Sequence, residues 1–341
     1  MSSTPLLPDR HPTPDFFLCD IFDAAPKADM ASMEHPLFSL STKPDTVIRE
    51  YSHRGLSIKV TPSVEGLATV HDRDILIYCI SQIIRGMNDG RPISRTVRFQ
   101  ASELLKATNR MTTGRGYELL KASMRRLQGT QIETNIVTGG QEVFEVFGLI
   151  EKAKVVRETR DGRMQEIEIV LSEWVFNAIE AKEVLTLSRD YFRLRKPLER
   201  RLYELGRKHC GTQTRWTIGF DLLQKKCGSS SSPKKFRELL NNIIEEDEEH
   251  SHMPDYSIRW GPDRRTVVFY SRGSVPSDLS EVIEIPKLDP DVYEMARQAA
   301  PGWDVRMIEQ EWRAWAKETP KNPEMAFLGF CRKWSETRGR P

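Results

Sequence analysis

One order of secondary-structure signals occurs twice in this sequence, and the repetition constrains the fold more than any other feature. In the second copy a helical run (197–211) is followed by a strand (TRWTIGF, 214–220), a short helix (221–227), a serine-rich turn and a helix from residue 233. The alternating runs YSIRW and TVVFYS then flank GPDRR, which predicts a β-hairpin. A short helix, a turn, a second helix and a hairpin together form the layout of a winged helix.

The first copy shows the same order earlier in the chain. Residues 72–90 predict a buried helix capped by Asp72 or Asp74, residues 95–100 a strand, and residues 101–109 a short helix. The next helix, 113–127, has its apolar residues on one side: Tyr117, Leu120, Met124 and Leu127. Two alternating runs at 130–137 and 142–150, with glycines between them, predict the hairpin, and 164–171 predicts a further strand. We therefore expect an α+β fold with two tandem winged-helix domains, at 46–171 and 172–273.

The flanking segments have a different composition. Residues 1–45 are rich in proline, which disfavours long helices and strands, so we expect a flexible arm with apolar anchors at Phe16, Phe17, Leu37 and Phe38. Residues 274–341 predict a linker and a small C-terminal all-α module. Its tryptophans, at 303, 312, 315 and 334, either fill a helical core or stack single-stranded bases, and the core is the favoured interpretation.

Composition and motifs argue against several classes of protein. No apolar run approaches the roughly 18–20 residues of a membrane span, and the five cysteines are scattered without a CxxC pair, so we expect a cytoplasmic protein without a metal site. The sequence contains no GxxxxGK[ST], GxGxxG or HExxH motif, so we expect no cofactor and no enzymatic activity. His250, His252 and Tyr256 resemble the residues of a metal-dependent nicking enzyme, but Ser251 separates the histidines where such enzymes have an apolar residue.

The net charge of the chain is only +2, so if the protein binds nucleic acid, its positive charge must be local and its acidic residues must lie elsewhere. The N-terminal turns of a helix can enter a major groove about 12 Å wide, so basic and hydroxyl residues there are candidate DNA contacts. The candidates are Thr113, Arg115, Tyr117, Lys121 and Arg125 on the first helix, Ser231, Ser232, Lys234, Lys235 and Arg237 on the second, and Arg264 and Arg265 at the hairpin tip. Arg189, Arg193 and Arg195 either follow the DNA backbone or form intramolecular pairs.

Four long segments resemble the RepA-type plasmid replication initiators, the replication initiator protein A family: residues 33–45, 61–83, 113–135 and 187–211. The resemblance implies tandem winged helices that bind repeated sites (iterons) in double-stranded plasmid origin DNA. It also implies recruitment of the host initiator and of the replicative helicase or its loader, and a homodimer in equilibrium with a monomer. We expect the protein to be associated with the plasmid or nucleoid, with no membrane partner. A winged-helix transcriptional repressor, a nicking initiator and a scaffold without DNA affinity remain alternatives.

Overall fold

The computed structural model describes residues 5–11, 33, 35–53, 56–88, 90–134, 145–158, 164–180, 184–273, 288–289, 291–315, 320 and 322–338. The chain divides into two compact units, residues 1–278 and 279–341. In chain order, the first unit contains β1 (Arg49–His53), β2 (Leu56–Thr61), α1 (Arg73–Asn88), β3 (Thr96–Gln100), α2 (Ala101–Ala107), α3 (Gly114–Gly129), β4 (Gln131–Thr134), β5 (Glu145–Gly148), β6 (Ile150–Glu158), β7 (Met164–Leu171), α4 (Glu173–Glu180), a 3-10 helix (Arg189–Arg193), α5 (Pro197–His209), β8 (Arg215–Gly219), α6 (Phe220–Cys227), α7 (Pro233–His250), β9 (Tyr256–Trp260) and β10 (Thr266–Ser271).

The expected repetition is present as two blocks with the same topology. The first block runs from α1 to β7 and the second from α5 to β10. Each has a three-stranded antiparallel sheet in which the first strand pairs with the last strand of the block: the order is β3-β7-β6 in one and β8-β10-β9 in the other. Each block also places two successive helices between the first strand and the hairpin.

The two runs that predicted the hairpin of the first block lie side by side, but in a different sheet from β3. Strands β4 and β5 do pair with each other, but β4 also pairs with β2, and the four-stranded sheet β1-β2-β4-β5 results. The hairpin that joins β3 is instead β6–β7. Its buried residues match across the pair, because Val97 faces Ile169 and Phe99 faces Ile167. Alternation in the sequence shows which residues turn inward but not which strand lies alongside.

A close backbone approach and an apolar side fix α3 in the first block. The predicted inward residues Tyr117, Leu120, Met124 and Leu127 are all buried. A Cβ atom at Gly116 would lie 1.9 Å from the carbonyl oxygen of Met111 in the preceding turn. Only glycine allows this approach, which brings the start of α3 against the turn after α2.

Charged residues at the start of α1 join the two blocks. Asp72 and Thr69 form a reciprocal cap, with Thr69 N donating to Asp72 Oδ2 at 2.8 Å and Asp72 N donating to Thr69 Oγ1 at 3.2 Å. Asp74, the other predicted cap, is instead an ion-pair partner: its Oδ1 lies 2.6 Å from Arg200 of α5. Arg73 similarly lies 2.7 Å from Glu204 of α5. These side chains are at most 5% exposed, so the contact between the blocks contains buried charge on both sides.

The segment before β1 packs on the first unit as its apolar anchors predicted, since Leu37 and Phe38 are buried. The predicted anchors Phe16 and Phe17 lie outside the described residues.

The C-terminal unit contains α8 (Val292–Ala299), α9 (Val305–Trp315) and α10 (Pro323–Arg338). Trp312 and Trp334 are buried in its core, as the favoured interpretation predicted, and Trp303 is partly buried against it. No helix among the described residues has the length and apolarity needed to cross a bilayer.

Candidate nucleic-acid interface

The N-terminal end of α7 is exposed, basic and capped by a hydroxyl group. Ser232 is the N-cap, and its side chain accepts a hydrogen bond from Lys235 N at 3.3 Å, while Pro233 occupies the first turn. This confirms the helix start that the sequence predicted. Lys234 and Lys235 are exposed, and Lys235 Nζ lies 2.6 Å from Glu238 in an exposed pair. Ser231 precedes the cap and is half-buried, with its carbonyl oxygen accepting from the side chain of Gln224.

The turn between β9 and β10 carries two exposed arginines. Asp263 fixes the turn, because its Oδ1 accepts from Arg265 N at 2.9 Å and from Thr266 N at 3.2 Å. The hydrogen bond from Arg265 N is the main cause that lowers the pKa of Asp263. Arg264 adopts a φ of 52° at the tip. Within the described part of the chain, the guanidinium groups of Arg264 and Arg265 have no carboxylate partner.

Arg237 connects α7 to this hairpin. Its guanidinium carbon lies 4.2 Å from the ring centre of Phe220 and 4.8 Å from that of Trp260, and its NH1 donates to the carbonyl oxygen of Arg264 at 3.1 Å. Trp260 Nε1 in turn donates to Asn241 Oδ1 of α7 at 2.7 Å. The sequence suggested Arg237 as a DNA contact, whereas the structure uses its charge to hold the hairpin tip beside the start of α7.

The corresponding surface of α3 carries less free positive charge. Thr113 is its N-cap, without a side-chain bond, and is exposed together with Arg115, which has no ion-pair partner among the described residues. Lys121 lies 3.4 Å from Glu118, and Arg125 lies 3.2 Å from Glu65. Acidic neighbours therefore compensate two of the predicted contacts on α3.

Tyr117, which the sequence predicted as a DNA contact, is buried in the structure. Its side chain is only 6% exposed, because it lies on the same apolar side of α3 as Leu120 and Met124.

Arg126, which also lies on α3, already has an acidic partner within the protein. Its Nε and NH2 atoms each donate to Asp72 at 2.7 Å. Burial alone would raise the pKa of Asp72, but the hydrogen bonds and charge of Arg126, together with the hydrogen bonds from Ser123 and Thr69, lower it.

Intramolecular partners occupy two of the three arginines near residue 190. Arg193 NH1 lies 2.9 Å from Asp190, and Arg189 NH2 lies 3.4 Å from Asp9. In this structure both residues therefore form intramolecular pairs, which is one of the two alternatives that the sequence left open. Arg195 is exposed and has no ion-pair partner in the described ranges.

Sequence reasoning missed a basic face on the sheet of the first block. Lys152 and Lys154 are exposed on β6, and Arg98 on β3 lies 2.7 Å from Glu168 on β7. The hydrogen bond from Arg98 and the charges of the two lysines lower the pKa of Glu168. The spacing of the two lysines, with one residue between them on a strand, was the available signal, because such residues project from the same face.

Two of the three residues suggested for a nicking site, His252 and Tyr256, are buried and have partners within the protein. Tyr256 is fully buried, its hydroxyl donates to the carbonyl oxygen of Gly211 at 3.0 Å, and burial raises its pKa. His252 is buried with its Nε2 3.3 Å from Glu199. Glu199, Glu246 and His252 could together hold a metal ion, but Lys196 Nζ lies 2.5 Å from Glu246 and 3.4 Å from Glu199 and already supplies positive charge there.

Comparison with known proteins adds independent information. Residues 27–258 match the family model for replication initiator protein A. A protein of Wigglesworthia glossinidia brevipalpis described as "Putative replication protein" is 36% identical over 263 residues, which is 76% of this chain and 94% of the relative. Two crystal structures of domains 2 and 3 of RctB cover 72% and 71% of this chain and 96% of each RctB chain, at 14% identity and TM-scores of 0.49 and 0.48. The family match includes the first block and ends within the hairpin of the second.

Proposed function

Because this chain belongs to the replication initiator protein A family, we propose that it starts plasmid replication by sequence-specific binding to double-stranded origin DNA, without catalysing a reaction. Each block acts as a winged helix. The pairs α2–α3 and α6–α7 are the helix-turn-helix elements, and the hairpins β6–β7 and β9–β10 are the wings.

The arrangement of α7 and its hairpin carries this proposal. Arg237 holds Arg264 beside the first turns of α7, so the exposed charges of Lys234, Arg264 and Arg265 lie on neighbouring elements. A helix start favours negative charge, and its first turns can reach base edges when the helix enters the major groove. The acidic run at 245–249 lies at the opposite end of α7, so phosphate repulsion limits entry to the first turns.

The first block contributes fewer direct contacts in this proposal. Thr113 and Arg115 reach the DNA from α3, whereas Arg125 must first leave Glu65. Lys152 and Lys154 on the neighbouring sheet add contacts to phosphate, which supply affinity without base discrimination. Two blocks on one chain raise each other's effective concentration, which suits binding to repeated sites such as iterons.

The proposed partners beyond DNA follow from the family and from the C-terminal unit. A homodimer in equilibrium with a monomer binds the origin. The C-terminal unit, which begins after the family match ends, contacts the host initiator and the replicative helicase or its loader. We expect deletion of residues 274–341 to leave DNA binding unchanged and to impair plasmid replication in cells. Normal plasmid maintenance by the truncated protein would exclude this role for the C-terminal unit.

Salt-dependent binding to the protein's own plasmid origin tests the DNA proposal. Each phosphate contact contributes about 0.9 to the slope of log K against log salt concentration. We expect Lys234→Ala and Arg264→Ala each to lower that slope by about one and to weaken binding. Lys333→Ala, which removes an exposed lysine of the C-terminal unit, should change neither quantity and is the matched control. Wild-type slopes for both α7-side variants would remove this surface from the proposal.

A footprint on the plasmid separates an initiator from a repressor that uses the same two blocks. Repeated protected sites beside an A·T-rich region are expected for the initiator. Protection confined to a promoter would favour the repressor instead.

A further inference from the structure

Residues 5–11 form a strap, and the side chain of Asn109 holds the main chain of this strap. The Nδ2 of Asn109 donates to the carbonyl oxygen of Pro8 at 3.0 Å, and its Oδ1 accepts from Arg10 N at 2.9 Å. Asn109 lies in the turn between α2 and α3, is 7% exposed and adopts a φ of 55°. A primary amide that bonds both a carbonyl and an N–H group of the same segment recognises an extended peptide rather than a particular side chain.

The other end of the strap is fastened to the 3-10 helix that precedes the second block. Leu7 N donates to the carbonyl oxygen of Arg193 at 2.8 Å, and Arg193 Nε donates to the carbonyl oxygen of Leu7 at 2.9 Å. Leu6 packs against the core of the second block. The strap therefore spans from the helix-turn-helix turn of the first block to the entry of the second block, and most of its bonds use its own main chain.

The same strap engages Arg189. Arg189 NH2 donates to the carbonyl oxygen of His11 at 2.9 Å and lies 3.4 Å from Asp9 Oδ2. The side chains of Arg189 and Asp9 are 49% and 38% exposed, so solvent reaches this pair. An exposed ion pair is weak, and a phosphate oxygen can replace the carboxylate as the partner of the guanidinium group.

We propose that Asn109 and Arg193 bound a peptide-binding groove, which residues 5–11 occupy in cis. In this proposal the strap and duplex DNA compete for Arg189. This inference rests on the proposed function, because it assumes that Arg189 reaches phosphate when the strap leaves. Competition is reciprocal. The factor by which the strap weakens DNA binding must equal the factor by which DNA weakens binding of the strap to the groove.

Two substitutions release Arg189 by different means. Asn109→Gly removes the amide but suits the positive φ, so the turn keeps its conformation. Asp9→Asn removes the competing carboxylate and leaves the groove intact. On a short duplex of arbitrary sequence, we expect each variant to steepen the salt slope by up to about 0.9, the contribution of one phosphate contact.

A double-mutant cycle assigns the gain to Arg189. In the wild-type chain, Arg189→Ala should leave the salt slope nearly unchanged, whereas in the Asp9→Asn chain it should remove the whole gain. Glu294→Gln is the control: it makes the same change in charge and frees Arg297 on the C-terminal unit, and it should leave the slope at the wild-type value. Unchanged slopes for both Asn109→Gly and Asp9→Asn would overturn the competition.

Cleavage of the full-length protein by trypsin after Arg10, followed by mass spectrometry, reports on the strap without reference to DNA affinity. We expect faster cleavage in Asn109→Gly than in the wild type, and faster cleavage of the wild type when duplex is added. Cleavage that neither the substitution nor the duplex changes would overturn the peptide site. If the wild-type protein binds no DNA but Asn109→Gly still accelerates cleavage, the groove stands and the proposed function fails.

Discussion

Asp74→Ala should destabilise the first unit strongly, because it removes the shared partner of two arginines. Asp74 Oδ1 lies 2.6 Å from Arg200 NH1, and its Oδ2 lies 3.1 Å from Arg110 NH2. Arg200 is 4% exposed and cannot reach water without local unfolding, whereas Arg110 is 18% exposed and can turn outward. Loss of one partner from a buried ion pair typically costs about 3–5 kcal/mol, and most of that cost is expected here from Arg200.

Equilibrium urea unfolding, followed by circular dichroism, measures this loss. A control is Glu118→Ala, which breaks the solvent-exposed pair with Lys121 and should cost about 0–1 kcal/mol. Combining Asp74→Leu with Arg200→Met should recover part of the loss, because it removes both buried charges together. A change below about 1 kcal/mol for Asp74→Ala would refute the reasoning, since it would mean that Arg200 finds water or another partner at little cost.

Three other substitutions or conditions test separate parts of the structure. Gly116→Ala should destabilise by about 1–3 kcal/mol in urea unfolding because its Cβ meets a backbone carbonyl, whereas Gly114→Ala, with open space around it, should be neutral or stabilising; equal effects would contradict the close approach. The pKa values of Asp72 and Glu204 are lowered on folding, so their contribution is fully present above their ordinary values of 3.8 and 4.5 and is lost as pH falls through the folded values; stability that stays flat below pH 4.5 would argue against this. Trp312→Ala should cost about 3–5 kcal/mol in the C-terminal unit, and a near-native thermal transition would show that its core tolerates the loss.

The second block was predictable because its signals are local. Ser232 and Pro233 mark the start of α7, and only five residues separate the end of α7 from β9, so the neighbouring hairpin has few alternatives. The first block was harder, because β4 and β5 come directly after α3 and alternate like a wing, yet β4 pairs with β2 and β5 pairs with β4. The alternation of apolar and polar residues indicates the register and the inward face of a strand, whereas the choice of partner strand depends on contacts across the whole sheet.

Charged residues were the least predictable part of the candidate site. The sequence identifies Arg189 and Arg237 as basic, but their surroundings come from far along the chain: Asp9 in one case, and the ring of Trp260 with the carbonyl of Arg264 in the other. Tyr117 is the opposite case. Its burial could be predicted from the sequence, because its position on the helix alone places it among the apolar residues of α3. A cation is a candidate for phosphate only after its intramolecular partners are known.

The ion pairs between α1 and α5 also have a consequence for inheritance. Arg73 and Asp74 belong to one block, and Glu204 and Arg200 belong to the other. A hybrid protein that took only one block from a distant relative would keep half of each pair and leave the other half without its counterion. Recombination and engineering should therefore move the two blocks of this chain as one piece, or change both partners of these ion pairs together.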